Sequence, residues 1–371
     1  MYLEKILLKN FRNLNNINFD LNKNLNFFIG NNGQGKTNFL ESIYLLGTAR
    51  SHRTNIDREM VNWNENNALV QIMLAKRDYK LKISLLLEGS KKTIKINNTP
   101  LDKVSDLMGN LNVVLFSPED LKLVKGSPQN RREFLNIEVS QVNSYYHHLL
   151  NKYNHVLKQR NNLLKEIKEK RNKEKINMLE IWDEQLVEIG SKIINKRLAV
   201  IDKLKILARL AQRQITNGKE NLSISYETSL KGNIKNNKIK DIFKDNLINK
   251  REKEIRRGYT LFGPHRADLK LEINDIDVRR YASQGQQRTV ALALKLAELE
   301  FMKSETGEYP VLLLDDVFSE LDKKRRNTLL KTITDKIQTF ITSTDLNDIS
   351  KFSPDKEQVF IVKEGKIEKG R

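Results

Sequence analysis

The feature that most constrains this fold is a glycine-rich run that ends in a lysine and a threonine. Residues 30–37 read Gly-Asn-Asn-Gly-Gln-Gly-Lys-Thr and match the phosphate-binding loop pattern at every fixed position. A strand pattern ends at Ile29 and a helical pattern begins near Thr37, which is the context that this loop requires. Backbone N–H groups freed by glycine, together with the helix N-terminus, attract phosphate oxygens. The sequence therefore predicts an α/β nucleotide-binding fold.

The side chains of this loop indicate ATP and Mg²⁺ as the ligands. Lys36 is expected to reach the β- and γ-phosphates and to act in catalysis, and the Thr37 hydroxyl is expected to ligate Mg²⁺. Both residues therefore belong to the predicted ATP site. The other residues that we expect to contact ATP in and beside the loop are Gly30, Asn31, Asn32, Gly33, Gln34, Gly35 and Asn38.

A second part of the same site is predicted much later in the sequence. Residues 311–314 are apolar throughout and are followed by Asp315 and Asp316. Buried parallel strands of this kind deliver side chains to a ligand at their carboxyl ends. Asp315 is expected to hold Mg²⁺ or its water, and Asp316 to polarise the attacking water as a catalytic residue. The alternative for one of the aspartates is to cap the helix that begins near Ser319.

Because Lys36 and Asp315 are 279 residues apart, most of the chain is an insertion into one nucleotide fold. Strand-like runs between residues 69 and 97 predict an antiparallel meander. After about residue 129 the spacing becomes helical, and two amphipathic helices joined by the charged stretch 168–175 predict a short antiparallel arm. The predicted division is the N-terminal part of a head (1–128), a helical arm lobe (129–257) and the C-terminal part of the head (258–371).

The charge balance suggests a polyanionic partner. Lys and Arg number 66 against 47 Asp and Glu, a formal net charge of +19. Nucleic acid or an anionic membrane surface attracts such a protein, although lysine enrichment by AT-rich codon usage gives the same excess. Residues 150–215 carry 16 basic and 8 acidic side chains, and residues 231–257 carry 10 and 4. The second stretch contains Gly-Asn and Asn-Asn pairs, so part of its charge is expected on a loop-like linker.

Composition also excludes several classes of protein. The chain has no cysteine, which excludes disulfides, thiol catalysis and cysteine-based zinc sites. No apolar run approaches the ~20 residues that a bilayer requires, and the amino terminus does not read as a signal peptide. We therefore expect a cytoplasmic protein. Trp63 and Trp182 are assigned to packing.

Several segments carry a resemblance to known ATPases. Residues 281–289, Tyr-Ala-Ser-Gln-Gly-Gln-Gln-Arg-Thr, resemble the signature motif of ABC-type ATPases, and Ser319–Asp322 resembles their D-loop. Within that class, the chain resembles the RecF family of recombination mediators, which is related to the SMC proteins. The segments that carry this second resemblance are Leu8–Asn13, Phe116–Leu121, Val124–Pro128 with Arg131-Arg132, and Gly263–Leu269.

The resemblance implies an α/β, ABC-type P-loop ATPase head with an antiparallel β lobe, an inserted helical arm and an ATP-gated homodimer. It implies that Arg12 lies near the nucleotide. It also implies that the ATP bound by one subunit is contacted by the signature residues of the other subunit, which are Ser283, Gln284, Gly285 and Gln286. The implied function is ATP-dependent DNA binding in recombinational repair, replication-gap processing and SOS induction, in which a dimer on gapped or junction DNA helps to load recombinase. RecR and RecO are implied as partners by the resemblance alone.

Three departures from the transporter-type pattern predict slow hydrolysis. No glutamine follows Phe116, Thr344 occupies the usual position of the switch histidine, and Asp316 replaces the usual glutamate. A shorter carboxylate and a missing histidine favour a weak, DNA-stimulated ATPase that acts as a conformational timer. The alternative function is the ATPase subunit of an ABC-type membrane transporter, which the missing glutamine and the arm disfavour.

Overall fold

A computed structural model describes residues 1–89, 91–170, 173–232, 238–333, 336–344 and 357–370. The strands are β1 (Tyr2–Phe11), β2 (Leu14–Asp20), β3 (Leu25–Ile29), β4 (Asn67–Ala75), β5 (Lys80–Glu88), β6 (Lys91–Ile96), β7 (Thr99–Pro100), β8 (Val113–Phe116), β9 (Leu222–Glu227), β10 (Asp268–Ile273), β11 (Ile276–Asp277), β12 (Val311–Asp315), β13 (Thr339–Ser343), β14 (Glu357–Lys363) and β15 (Lys366–Lys369). The helices are α1 (Lys36–Thr48), α2 (Leu121–Lys125), α3 (Pro128–Val142), α4 (Ser144–Lys170), α5 (Met178–Thr216), α6 (Ile239–Arg257), α7 (Val278–Tyr281), α8 (Gln284–Thr306), α9 (Val317–Glu320) and α10 (Lys323–Ile333).

A mostly parallel sheet holds the predicted phosphate-binding loop. Its strand order is β15-β14-β3-β13-β12-β8, with β15 antiparallel at one edge. Every residue of β3, β12 and β13 is buried, which explains why their sequences do not alternate with polar residues. β13 lies between β3 and β12, so the carboxyl ends of the loop strand and the aspartate strand meet a common neighbour.

This sheet separates two apolar cores. Phe28 of β3 and Leu313 of β12 face one core, which the antiparallel lobe and α1 complete. Phe27 and Leu314 face the other, which α8 and the arm helices complete. The lobe itself is an antiparallel sheet of order β2-β1-β4-β5-β6-β7, and the predicted meander is thus confirmed.

A buried glutamine joins the antiparallel lobe to the parallel sheet. The side chain of Gln338, immediately before β13, accepts a hydrogen bond from the Leu3 N–H at 2.6 Å. Its amide nitrogen donates to the carbonyls of Leu3 and Asn22, each at 2.8 Å. Because an unpaired buried amide is costly, these contacts fix how the lobe sits on the sheet.

The inserted arm is built from α4 and α5, against which α6 packs. The sequence predicts that part of the charge of residues 231–257 lies on a loop-like linker around residues 232–237, of which 233–237 are outside the described ranges; the remainder, Ile239–Arg257, forms the helix α6. The predicted turn at 168–175 also includes two residues, 171–172, outside those ranges. The small sheet of order β11-β10-β9 was not predicted, because β9 is a short alternating run within a helical and charged context.

Two buried arginines attach the arm to the residues that precede β10. Arg160 of α4 donates to Asp183 at 2.6 Å, to Glu254 at 2.7 Å and to the Thr260 hydroxyl at 2.8 Å. Arg197 of α5 donates to the Pro264 carbonyl at 2.7 Å and also contacts the hydroxyls of Tyr146 and Tyr226. Both guanidinium groups are nearly inaccessible to solvent, and their satisfied donors explain why such burial is tolerated.

One of the two tryptophans is much more exposed than the sequence predicts. Trp63 was assigned to packing, but it is 92% exposed. Trp182 packs against the arm core as expected. Among the described residues, no helix combines the length and apolarity needed to cross a bilayer.

A buried ionic cluster lies between α3 and α8. Lys295 Nζ is 2.6 Å from Glu298 Oε2, and the carboxyl of Glu138 is buried beside this pair. Burial and the neighbouring Glu298 raise the pKa of Glu138 well above its usual value, and Lys295 opposes this effect without cancelling it. The native state therefore keeps a proton on Glu138 at pH values where the unfolded chain has lost it.

We predict that Glu138→Gln flattens the dependence of stability on pH. A carboxyl whose pKa is raised on folding stabilises the native state most below its unfolded pKa, and this contribution disappears as the pH rises through the folded pKa. Wild-type protein should lose stability with a slope of up to about 1.4 kcal/mol per pH unit in that interval. Urea unfolding between pH 4.5 and 8 measures the slope, with the exposed Glu119→Gln as control. Equal slopes in wild type and Glu138→Gln would contradict the assignment.

Candidate functional site

The phosphate-binding loop connects β3 to α1, and two of its glycines are required by close approach. A side-chain carbon at Gly30 would lie 2.2 Å from the Val362 carbonyl oxygen of β14. Gly35 has a φ of 118°, and a side-chain carbon there would lie 2.9 Å from Asn13 Oδ1. The loop tip, formed by Asn31, Asn32 and Gly33, is exposed. Backbone amides at this tip are thus accessible to an anion.

A hydrogen-bond network supports the loop from the turn between β1 and β2 and from the β14–β15 hairpin. The Gln34 carbonyl accepts from the Gly365 N–H at 3.1 Å and from the Asn13 side chain at 3.2 Å. Asn38 donates to Asn13 Oδ1 at 2.8 Å. These contacts fix the loop relative to the first turn of α1.

Lys36 is buried at the start of α1. Its ammonium group donates to the carbonyls of Gly30 at 2.6 Å and Asn31 at 2.9 Å. Desolvation lowers the pKa of Lys36, whereas the negative charges of Asp316 and Asp315 oppose that shift. The structure thus brings this cation close to both predicted carboxylates, and phosphate oxygens are stronger acceptors for it than the loop carbonyls.

The oxygen donors beside the loop fit Mg²⁺. Thr37 Oγ1 donates a hydrogen bond of 2.9 Å to Asp315 Oδ1. Because the hydroxyl proton points to the carboxylate, the oxygen lone pairs remain for a cation. Hydroxyl and carboxylate oxygens are the ligands that Mg²⁺ prefers, and these two residues would hold it.

Asp316 stands at the N-cap position of α9, with left-handed backbone angles of φ 51° and ψ 29°. Its side chain makes no capping hydrogen bond to that helix, so helix capping does not account for it. Its backbone N–H donates to Thr342 Oγ1 of β13 at 2.9 Å. A carboxylate of this kind near Lys36 is suitable for orienting a water molecule.

Arg12 lies beside the loop helix and is held by a carboxylate that sequence analysis missed. Glu41 of α1 is fully buried and accepts two hydrogen bonds from Arg12, at 2.7 and 3.0 Å. It also accepts from Ser51 and lies 3.5 Å from the Arg53 guanidinium. Burial alone raises the pKa of Glu41, but the hydrogen bonds from Arg12 and Ser51 outweigh it, and the pKa is lowered. An acidic residue within an otherwise apolar helical run was the available signal.

The predicted signature residues lie at the N-terminus of α8. Ser283 caps the helix by accepting from the Gln286 N–H at 3.2 Å, and Gln286 in turn accepts from the Ser283 N–H at 2.9 Å. Ser283 and Gln284 are exposed, and Arg325 of α10 donates to the Gly285 carbonyl at 2.7 Å. Within the part of the chain that the structure describes, no hydrogen bond joins these residues to the phosphate-binding loop. They lie on a different element from the loop, at the start of α8 and not of α1.

Two predicted segments are only partly described. In the D-loop-like segment the side chains of Ser319 and Glu320 are outside the described set, whereas Asp322 forms an ion pair with Arg325. Thr344 is exposed directly after β13, and the following Asp345 is outside the described ranges.

We predict that Glu41→Gln destabilises the protein by about 3 kcal/mol, because it removes the charged partner of two guanidinium groups at a buried position. Chemical denaturation measures the change in the free energy of unfolding. Glu188→Gln is the matched control: Glu188 also contacts two cations, Lys192 at 2.8 Å and Lys240 at 2.7 Å, but at an exposed position. Solvent screens the ion pairs of Glu188, so we expect only a small loss of stability in Glu188→Gln. A loss as large as in Glu41→Gln would contradict the role of burial.

Known protein families and sequences resemble this chain over nearly its full length. A family model described as the RecF/RecN/SMC N terminal domain matches residues 2–368. The DNA replication and repair protein RecF of Halothermothrix orenii is 60% identical over 370 residues, covering 99% of this chain and 98% of that protein. RecF of Clostridium tetani is 46% identical over 98% of this chain and 99% of its own length.

Solved structures give the same result. The recombination mediator protein RecF of the RecFOR pathway, solved with ATP, superposes with a TM-score of 0.92 at 38% identity, covering 100% of this chain and 98% of that one. An Smc head domain from Pyrococcus furiosus, at 16% identity and a TM-score of 0.56, shares the fold alone. The predicted fold class, an ABC-type head with an antiparallel lobe and a short coiled-coil arm, is confirmed. The chain belongs to the RecF family.

Proposed function

We propose that this chain is an ATP-dependent DNA-binding protein that acts in the cytoplasm in recombinational repair, replication-gap processing and SOS induction. The observation that carries the proposal is that the phosphate-binding loop and the signature residues lie on different elements of a RecF-family fold. The phosphate-binding loop and Asp315 are joined by a hydrogen bond at one sheet edge, whereas the signature residue Ser283 is exposed on another element. A second subunit completes such a site, as the family resemblance implies.

The proposed residue roles follow from the contacts. Lys36 binds the β- and γ-phosphates, and Thr37 with Asp315 holds Mg²⁺. Asp316 orients water for slow hydrolysis, which serves as a timer for release. Arg12, Asn38 and the loop residues 30–35 surround the nucleotide, and residues 283–286 of the second subunit close it. Full-length matches to RecF proteins support this reading, and nothing in them supports the transporter alternative.

We also propose the three-part division at residues 128 and 257. Its supporting observation is that α4, α5 and α6 pack together as an arm, although β9 and β10 pair across the second boundary. RecR and RecO are proposed as partners, supported by the RecFOR pathway named for the solved relative.

The dimer is tested by Ser283→Arg. The exposed position lies at the proposed interface, so a bulky charged side chain should abolish ATP-dependent dimerisation while leaving ATP binding by the monomer unchanged. Sedimentation velocity with and without ATP and Mg²⁺ measures the mass. Ser304→Arg is the matched control, since Ser304 is exposed near the other end of the same helix. A wild-type mass that does not change with ATP would refute the dimer.

DNA binding is tested through its dependence on salt. Lys165 and Lys168 of α4 pack beside Gly258, which ends α6 next to Arg256 and Arg257. If this basic cluster contacts phosphates, replacing Lys165, Lys168 and Arg256 by Gln should reduce the slope of log affinity against log salt by about 0.9 for each contact on duplex DNA. Fluorescence anisotropy over a salt series measures the slope.

The control removes an equal charge elsewhere. Lys91, Lys95 and Lys103 are exposed on the antiparallel lobe, and their replacement by Gln should change the slope much less. Equal changes in both variants would mean that net charge, and not the arm surface, determines DNA affinity.

A further inference from the structure

One buried hydroxyl contacts both the predicted Mg²⁺ ligand Asp315 and the predicted catalytic residue Asp316. We propose that Thr342 is a positioning residue that sets the carboxylate of Asp315 and the backbone of Asp316; this inference rests on the proposed ATPase function. Thr342 lies on β13, in register with Asp315 of β12 on one side and Phe28 of β3 on the other. It is fully buried.

The hydroxyl acts as donor and acceptor at once. Thr342 Oγ1 donates to Asp315 Oδ1 at 2.9 Å and accepts from the Asp316 N–H at 2.9 Å. Asp315 Oδ1 also accepts from Thr37 Oγ1 at 2.9 Å. Two hydroxyls that converge on one carboxylate oxygen fix the rotation of that side chain, and hence the direction in which it presents charge to a cation.

The second contact controls a strained backbone. Asp316 is a non-glycine residue at φ 51° and ψ 29°, a conformation that persists only where neighbouring structure enforces it. Thr342 Oγ1 holds the N–H of that same residue. Removing the Thr342 hydroxyl leaves the Asp316 N–H without this acceptor. The peptide can then relax, and the Asp316 side chain shifts together with its own backbone.

Two variants separate this role from a structural one. Thr342→Val keeps the shape of the side chain and removes the hydroxyl, whereas Thr342→Ser keeps the hydroxyl. Thr339→Val is the matched control, because Thr339 is buried on the same strand and its hydroxyl contacts the Ile337 carbonyl, not the aspartates. All three variants are first compared with wild type by thermal unfolding.

The first measurement uses the protein without nucleotide. In Thr342→Val, amide hydrogen exchange in a peptide covering 312–318 should accelerate about tenfold, the effect of losing one buried hydrogen bond. Thr342→Ser and Thr339→Val should keep wild-type exchange there. Unchanged exchange in Thr342→Val, or equal acceleration in Thr339→Val, would overturn the proposed hold on Asp316.

The second measurement uses the Mg²⁺ dependence of thermal stabilisation by ATP. Thr342→Val should require about tenfold more Mg²⁺ for half the effect, with ATP affinity in the absence of Mg²⁺ within about twofold of wild type. Turnover should fall at least as far, and Thr342→Ser should restore both quantities. An unshifted Mg²⁺ midpoint would overturn the proposal, whereas a wild-type protein without ATP hydrolysis would contradict the ATPase function alone.

Discussion

The hydrogen bond between Thr37 and Asp315 joins residues 278 positions apart in the sequence, and the fold is arranged so that this bond can form. It requires that β3 and β12 end at the same sheet edge with one strand between them. Everything inserted between the two strands must therefore leave the sheet and return to it. Strands β4 to β7 of the antiparallel lobe are inserted after α1, and the arm is inserted between β8 and β12.

The sequence was informative about elements and much less about their neighbours. The loop at 30–37, the apolar strand before Asp315 and the long arm helices were all predictable, because each is encoded by local spacing. Glu41 and Thr342 were not, because their importance depends on which side chains the folded chain places beside them. Strand order decides that Thr342 lies next to Asp315, and periodicity carries no information about strand order.

Burial also reduces the number of basic residues that a partner can reach. Arg131, Arg160, Arg197 and Lys295 all count among the 66 basic residues, but each is buried with a carboxylate or hydroxyl partner. These cations hold the arm, α3 and α8 in place and cannot meet a polyanion. A count of basic residues therefore overstates the charge available to a ligand, and only exposed clusters such as Lys165 and Lys168 contribute to attraction.

The two arginines that hold the arm have a mechanical consequence. Arg160 donates to the Thr260 hydroxyl and Arg197 donates to the Pro264 carbonyl. From there the chain runs through β10, β11 and α7 to Ser283. Because releasing either guanidinium would strand a buried charge, a torque applied to α4 and α5 must carry residues 260–264 with it. A load on the arm is therefore expected to reach the signature turn, and in the proposed dimer that turn is the part of the subunit offered to the partner's ATP.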